Sequence, residues 1–96
     1  MKHFTPKGAR HLSSPEDRLV AGARTGSVAA FEQLVYAYEK KVYNLAFRMM
    51  GNHDDASDIA QEAFLRVFSS LRDFRGDASF STWLYQIATN LARNRY

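Results

Sequence analysis

Apolar residues recur every three or four positions through the middle of the chain, the spacing that places them on one face of an α-helix. The first long run is bounded by Ser27, a favourable N-cap, and by Gly51 and Asn52, which favour helix termination. Its apolar face comprises Phe31, Leu34, Val35, Tyr38, Val42, Leu45, Ala46 and Met49. The pattern therefore predicts one long helix between Ser27 and Gly51.

Two further runs with helical spacing follow this segment. One helix is predicted from about Asp54 or Asp55 to about Leu71, and another from Phe80 or Ser81 to the end of the chain. The predicted core faces are Ala56, Ile59, Ala60, Ala63, Phe64, Val67, Phe68 and Leu71 in the former, and Leu84, Ile87, Ala88 and Leu91 in the latter. The intervening residues contain Gly, Asp and Ser, which favour a loop.

A short helix is predicted ahead of the three long ones. Ser14 is a suitable N-cap, Pro15 suits the first helical position, and Gly26 is free to take a left-handed conformation at the helix end. Residues 1–14 are expected to form a flexible basic tail, and residues 15–96 a single domain. No segment alternates with period two long enough to predict a strand. The expected fold is all-α, a compact bundle of three long helices and one short N-terminal helix.

The composition indicates a soluble protein without covalent cross-links. Cysteine is absent, which excludes disulfides and thiol catalysis and is consistent with a cytoplasmic location. No apolar run approaches the ~20 residues of a membrane helix, and the basic start lacks the apolar core of a signal peptide. Since no Gly or Pro follows the last helix, we expect the chain to be a fragment of a longer protein.

Charge is divided unevenly along the chain. Residues 1–48 carry a net charge of +4, residues 49–62 a net charge of −4, and residues 63–96 a net charge of +3. This division predicts two partners of opposite charge, such as nucleic acid and a basic protein surface. Ordinary scatter of surface charge explains the division equally well.

The residues give little support for catalysis. Two of the three histidines lie in the predicted tail, so no fixed base accompanies a serine nucleophile. His53 and Asp54 form a dipeptide found in helical metal-dependent phosphohydrolases, but the further ligands are missing, and Asp54 is more simply an N-capping residue. Asp54, Asp58 and Glu62 share a helix face that offers too few oxygens for a cation. We predict no enzymatic activity, no cofactor and no metal site.

One face of the third helix has a composition suited to a protein partner. Asp58, Gln61, Glu62 and Leu65 follow the i, i+3, i+4, i+7 spacing and lie beside the core stripe. Carboxylates can accept paired hydrogen bonds from arginine, and Leu65 adds apolar area. The face suits an arginine-rich helix, although a plain solvated surface has the same composition.

A second face of the fourth helix suits single-stranded nucleic acid. Trp83, Gln86, Asn90, Arg93 and Asn94 line up on this face, away from the core stripe. Bases stack on an indole ring, amides hydrogen-bond to base edges, and a cation meets phosphate. The alternative is that Trp83 serves packing alone.

Several motifs then occur in a fixed order. They are DIAQEAF at 58–64, FRGD at 74–77 and FSTWLYQIATN at 80–90, preceded by AFEQL at 30–34 and RMMGN at 48–52. Together, over about seventy residues without an internal gap, they resemble region 2 of the extracytoplasmic-function sigma factors of the sigma-70 family. The resemblance implies a transcription initiation factor domain that binds core RNA polymerase and recognises and melts the −10 promoter element.

The resemblance also implies roles for individual residues. Asp58, Gln61 and Glu62, with Leu65 beside them, would bind the arginine-rich clamp helices of the largest polymerase subunit. Phe74 and Asn90 would form the pocket for a base flipped out of the non-template strand. The residues implied in DNA binding are Phe74, Arg75, Gly76, Asp77, Ser79, Trp83, Gln86, Asn90, Arg93 and Asn94. Arg75, Arg93 and Arg95 would contact backbone phosphate.

The chain also departs from the pattern of housekeeping sigma factors. Gln86 and Ile87 stand where those proteins carry paired tryptophans, which indicates the stress-type subfamily. The C-terminal region 4 domain that reads the −35 element is not found in this sequence. The resemblance implies an anti-sigma factor as a further partner. The alternative function is a helical protein-interaction module, an adaptor or an anti-sigma-binding decoy, that does not read DNA.

Overall fold

The computed structural model describes residues 14–95, so nearly all of the predicted basic tail lies outside the described residues. Within that range the backbone forms four α-helices and one 3-10 turn, and no strand. The helices are α1 (Pro15–Arg24), α2 (Val28–Met50), α3 (His53–Ser70) and α4 (Phe80–Arg93), and the 3-10 turn (Leu71–Asp73) follows α3. The predicted all-α fold, with three long helices and one short helix, is confirmed.

Each α-helix is preceded by a polar residue whose side chain accepts a hydrogen bond from a backbone N–H of the first turn. These N-caps, with the residues whose N–H groups they accept, are Ser14 (Asp17), Ser27 (Ala30), Asn52 (Asp55) and Ser79 (Thr82). The cap at Asn52 corrects one predicted boundary. Because Asn52, and not a later residue, satisfies the first free N–H groups, α3 begins at His53.

The ends of the helices also differ slightly from the prediction. Gly51 ends α2 with φ +81°, a left-handed conformation that glycine adopts without strain. The last predicted turn of α3 tightens into the 3-10 turn after Ser70. The α4 helix ends at Arg93 and does not run to the chain end, because Asn94 and Arg95 form a turn.

The core lies where α2, α3 and α4 meet. Its largest fully buried side chains are Leu34 and Val42 from α2, Ile59 and Val67 from α3, and Leu84 from α4. Full burial of one such side chain stabilises the fold by about 1.5–3 kcal/mol. Because α3 packs against both α2 and α4, its outer face is held in a fixed position relative to α4.

Two residues predicted to be core are exposed. Phe68 is 55% accessible and Met49 is 37% accessible. Phe68 makes an edge contact with Phe31, with 5.0 Å between the ring centroids, on the outside of the α2–α3 pair. The apolar stripe is wider than the buried contact between the helices, so residues at its margin remain at the surface.

Tyr38 links three of the helices. Its hydroxyl donates a hydrogen bond to the Glu16 carboxylate on α1, and its ring contacts Phe80 and Tyr85 on α4. Burial, together with the hydrogen bond to Glu16, raises the pKa of Tyr38 to about 12. Within residues 14–95, none of the helices combines the length and apolar character needed to span a bilayer.

Candidate protein and nucleic-acid interfaces

The face of α3 predicted to bind polymerase is open to solvent. Asp58, Gln61, Glu62 and Leu65 are all exposed, and 69% of Leu65 is accessible. The Glu62 carboxylate pairs with Arg66 on the next turn at 3.6 Å. Both partners are about half exposed, so the pair holds Glu62 weakly. These four residues, which we name the acidic face, are therefore available to a partner.

Arg95 joins the end of α4 to the acidic side of α3. Its guanidinium lies 3.1 Å from Asp55 Oδ1 and 3.0 Å from Asp58 Oδ2. The hydrogen bonds to Asp58 and Asp55 raise the pKa of Arg95, and those from Asn52 and Arg95 hold the pKa of Asp55 below its usual value. This geometry does not support the expected phosphate contact, because the Arg95 guanidinium is directed at two carboxylates.

An apolar groove between α2 and α3 adjoins the acidic face and was not identified from the sequence. Leu65 lines it, together with Tyr36 and Phe68, which are 77% and 55% exposed. It is also lined by Val28, Phe31, Glu32, Val35, Glu39 and Phe64. One sequence signal for this α2–α3 groove is Tyr36, an aromatic residue that lies outside the apolar stripe of α2.

The indole of Trp83 is only partly accessible. It stacks on Phe74, with 4.7 Å between the ring centroids and 25° between the planes, and contacts Phe80 at 6.1 Å. Phe74 itself is 9% exposed and belongs to the hydrophobic core. Phe74, which was expected to form a base pocket with Asn90, has its ring packed against Phe80 and Trp83 in this structure, and its part in a pocket stays a prediction. In the unbound chain Phe74 supports one face of the indole.

The polar residues of α4 line an open cleft along the helix. Gln86, Asn90 and Arg93 all contribute to it, and all three are exposed. The other lining residues are Thr82, Tyr85 and Thr89. Asn94 is exposed but lies outside the cleft, at the C-cap of the helix. The structure thus brings together three of the predicted α4 residues on one surface, which we name the amide face.

The loop before α4 has both structural and exposed positions. Arg75 and Asp77 are exposed, and Gly76 adopts φ +81° between them. Ser79 accepts a hydrogen bond from the Thr82 N–H at 3.1 Å, and its hydroxyl lies 2.9 Å from Thr82 Oγ1. Because the Ser79 hydroxyl is engaged by this cap, its first role is to begin α4. Arg75 and Asp77 remain free to contact a ligand.

In the His53–Asp54 dipeptide, the histidine side chain contacts a tyrosine of α2. His53 Nδ1 lies 2.9 Å from the Tyr43 hydroxyl, and the two rings are 5.6 Å apart. In the part of the chain that the structure describes, no group of three or more His, Cys, Asp or Glu residues converges as a metal site would require. His53 therefore packs at the α2–α3 junction.

The sequence and fold match known proteins over most of the chain. Residues 34–96 match the family model for sigma-70 region 2. Curated relatives include the sigma-H factor of Pseudomonas aeruginosa (42% identical over 82% of this chain), and the extracytoplasmic-function sigma factors SigW of Bacillus subtilis (47% over 75%) and sigma-E of Escherichia coli K12 (43% over 79%). The chain covers 41%, 38% and 39% of these relatives, about two fifths of their length.

A solved structure supports the same assignment. It is an NMR structure of an engineered region 2 of sigmaE in complex with GTAAAA, and it superposes with a TM-score of 0.79 at 36% identity, covering 90% of each chain. Sigma factors are transcription initiation factors and not enzymes, so the prediction that the chain is not an enzyme is confirmed. The chain belongs to the sigma-70 region 2 family and, within it, to the extracytoplasmic-function sigma factors.

Proposed function

We propose that this chain docks on core RNA polymerase through α3 and captures unpaired bases of the −10 promoter element through α4 and the loop before it. The observation that carries the proposal is that the acidic face and the amide face are both accessible and lie on neighbouring packed helices. One small rigid domain can therefore hold polymerase and a DNA strand at the same time.

The acidic face suits an arginine-rich helix of the polymerase clamp. Asp58 and Glu62 present carboxylates that can accept paired hydrogen bonds from guanidinium groups. Leu65 and the adjoining α2–α3 groove offer apolar area, including Tyr36 and Phe68, which association with a helix would remove from water. The carboxylates orient the docked helix, and burial of the apolar side chains of the groove adds affinity. An anti-sigma factor that covered this surface would block docking.

The amide face suits an unpaired DNA strand. The related sigmaE region 2 was solved in complex with GTAAAA, and we transfer that class of ligand to this chain. Gln86 and Asn90 can hydrogen-bond to exposed base edges, and Arg93 can meet phosphate. Trp83 is held by Phe74 beneath it, so its remaining accessible surface is fixed in orientation and offers a stacking partner.

Capture of unpaired bases couples recognition to melting. A base inside a duplex is hidden, and unstacking it costs a few kcal/mol. Stacking on an aromatic side chain returns about 1–3 kcal/mol per base, and hydrogen bonds at Asn90 favour one base over others. Since these contacts form only with the unpaired strand, the domain stabilises the open promoter. The chain itself breaks no bond, and the polymerase supplies the chemistry.

Fluorescence of Trp83 tests DNA capture, because Trp83 is the sole tryptophan of the chain. Titration of the 96-residue chain with GTAAAA is expected to change the tryptophan emission. With the chain bound to core RNA polymerase, whose own tryptophans would mask this signal, binding is followed instead by the fluorescence anisotropy of dye-labelled GTAAAA. A scrambled oligonucleotide of the same composition should produce a smaller change at equal concentration. If the polymerase-bound chain gave no response to any sequence, the DNA-reading function would be wrong and the adaptor function would remain.

Two matched substitutions assign the binding to the amide face. Asn90→Ala is expected to reduce the preference for GTAAAA by about 1–3 kcal/mol, the range for a hydrogen-bonded base contact. Gln61→Ala removes an exposed amide from the acidic face of α3 and should leave DNA affinity unchanged. Equal losses in both variants would show that the amide face has no special part in DNA binding.

A further inference from the structure

A second polar cleft lies between α2 and α4, next to the amide face. It is lined by Lys41, Asn44, Leu45 and Arg48 from α2 and by Tyr85 and Thr89 from α4. Neither the motifs nor the resemblance assigns a role to its four α2 residues. Their i, i+3, i+4, i+7 spacing places them on a single face of α2.

The two clefts form one continuous surface. Tyr85 and Thr89 line both the α2–α4 cleft and the cleft along the amide face. A strand that contacts Gln86, Asn90 and Arg93 can therefore continue across these shared residues towards α2. The side chains that border the path are hydroxyl, amide and cationic groups, the types that bind nucleic acid backbones.

The charge of this surface is of one sign. Lys41, Arg48 and Arg93 are the charged residues that line the two clefts, and none of the lining residues is acidic. Among residues 14–95, these three cations form no ion pair, whereas Arg66 and Arg95 are each paired with carboxylates. Lys41 Nζ also lies 5.8 Å from the centroid of the Tyr38 ring, a weak cation–π contact. Cations in an open groove that form no ion pair attract phosphate without first breaking one.

The length of the cleft suits more than one phosphate. Lys41 and Arg48 are seven residues apart on a regular helix, which corresponds to about 10 Å along its axis. Successive phosphates of a B-form strand are about 3.4 Å apart along the helix axis, and an extended strand spaces them more widely. The two cations can therefore contact separate phosphates of the same strand.

We propose that the α2–α4 cleft is a phosphate-binding track that extends the single-stranded DNA site beyond the amide face, with Lys41 and Arg48 as its cationic contacts. This inference rests on the proposed function, because it requires the strand to lie on α4. Lys41 and Arg48 add affinity that is independent of base sequence, and Asn90 and Gln86 supply the base preference.

Adjacent lysines on α2 provide the decisive test. Lys41→Gln removes a cation from the cleft, and Lys40→Gln removes an equal charge from the neighbouring position, which lines the α2–α3 groove. Binding is measured against GTAAAA extended by several nucleotides on both sides, over a series of salt concentrations. Lys41→Gln and Arg48→Gln should each weaken binding by about threefold to tenfold and reduce the salt slope by about 0.7, as loss of one phosphate contact requires.

The control variants separate this inference from the proposed function. Lys40→Gln should leave both affinity and salt slope close to those of the unsubstituted chain. If Lys40→Gln and Lys41→Gln had equal effects while Asn90→Ala still weakened binding, the track would be wrong and DNA capture by α4 would stand. If Asn90→Ala also had no effect, the proposed function would fail and the track with it.

Discussion

Tyr38 shows how one side chain can hold several elements in place. Its hydroxyl reaches Glu16 on α1 while its ring packs against Phe80 and Tyr85 at the start of α4. The start of α4 carries Trp83, so the orientation of the proposed stacking surface depends partly on this contact. Burial and the Glu16 carboxylate both disfavour the phenolate, which is why the pKa of Tyr38 is raised to about 12.

Tyr38→Phe is expected to destabilise the fold at neutral pH by about 1–2 kcal/mol, because it removes the hydrogen bond to Glu16 and retains the ring. The difference in stability between the two proteins should become smaller at alkaline pH. The unfolded chain releases the Tyr38 proton near its ordinary pKa of about 10, and the folded chain retains it to about 12, so the unsubstituted protein loses stability across that interval. Urea unfolding of both proteins as pH rises checks this. A stability difference that stayed constant across the interval would contradict the raised pKa.

The exposure of several site residues was predicted correctly from the sequence, but the partners of some side chains were not predicted. Asp58, Glu62 and Asn90 are exposed as expected. Phe74 is buried and Arg95 is paired with aspartates, because both depend on which residues of another helix lie nearby. Helical periodicity specifies the face of a residue on its own helix, and it carries no information about partners across the bundle.

At the level of elements, local chemistry accounts for nearly every boundary. Serine or asparagine caps each helix start, and the predicted glycine at position 51 ends α2. The observed boundaries differ from the predicted ones by only a few residues, and the differences have local causes. One example is the N-cap at Asn52, which makes α3 begin at His53. The α2–α3 connection is short, so its geometry fixes how closely α3 lies against α2 and where the acidic face points.

Gly51 is the residue on which this connection depends most. It adopts φ +81°, and a Cβ built there would meet no atom within 4 Å. Gly51→Ala should therefore destabilise the protein by about 1–2 kcal/mol through backbone strain alone. Gly51→Asn should cost less, because asparagine tolerates the left-handed region. Thermal and urea unfolding of the two variants measure this. An equal loss in both would mean that strain at this residue is not the cause.

The whole molecule places two chemically different surfaces on a single core. Since α3 packs against both α2 and α4, the acidic face and the amide face cannot move independently while the core is intact. The α2–α3 groove and the α2–α4 cleft were not predicted from the sequence, because each is formed by residues from two helices. Among the described residues, the ion pair from Arg95 to Asp58 is the contact that connects the end of α4 with the acidic face.

This arrangement predicts two functions that are separable by substitution. Glu62→Arg places like charge against an arginine-rich partner and should weaken polymerase binding by at least about tenfold, with little loss of stability because Glu62 is exposed. Asp73→Arg makes the same charge change outside the acidic face and should leave polymerase affinity unchanged. Both affinities are measured by competition with the unsubstituted chain.

The double variant Glu62→Arg with Asn90→Ala tests whether the faces act independently. Glu62 pairs with Arg66 on α3 and Asn90 lines the cleft along α4. Among the described residues, no ion pair or hydrogen bond joins the two side chains or gives them a shared partner. The free-energy losses for formation of the polymerase–DNA complex should therefore add to within about 0.3–0.5 kcal/mol. A larger deviation would mean that docking alters the DNA surface. In that event Arg95→Gln, which releases Asp58, should restore additivity if the ion pair transmits the effect.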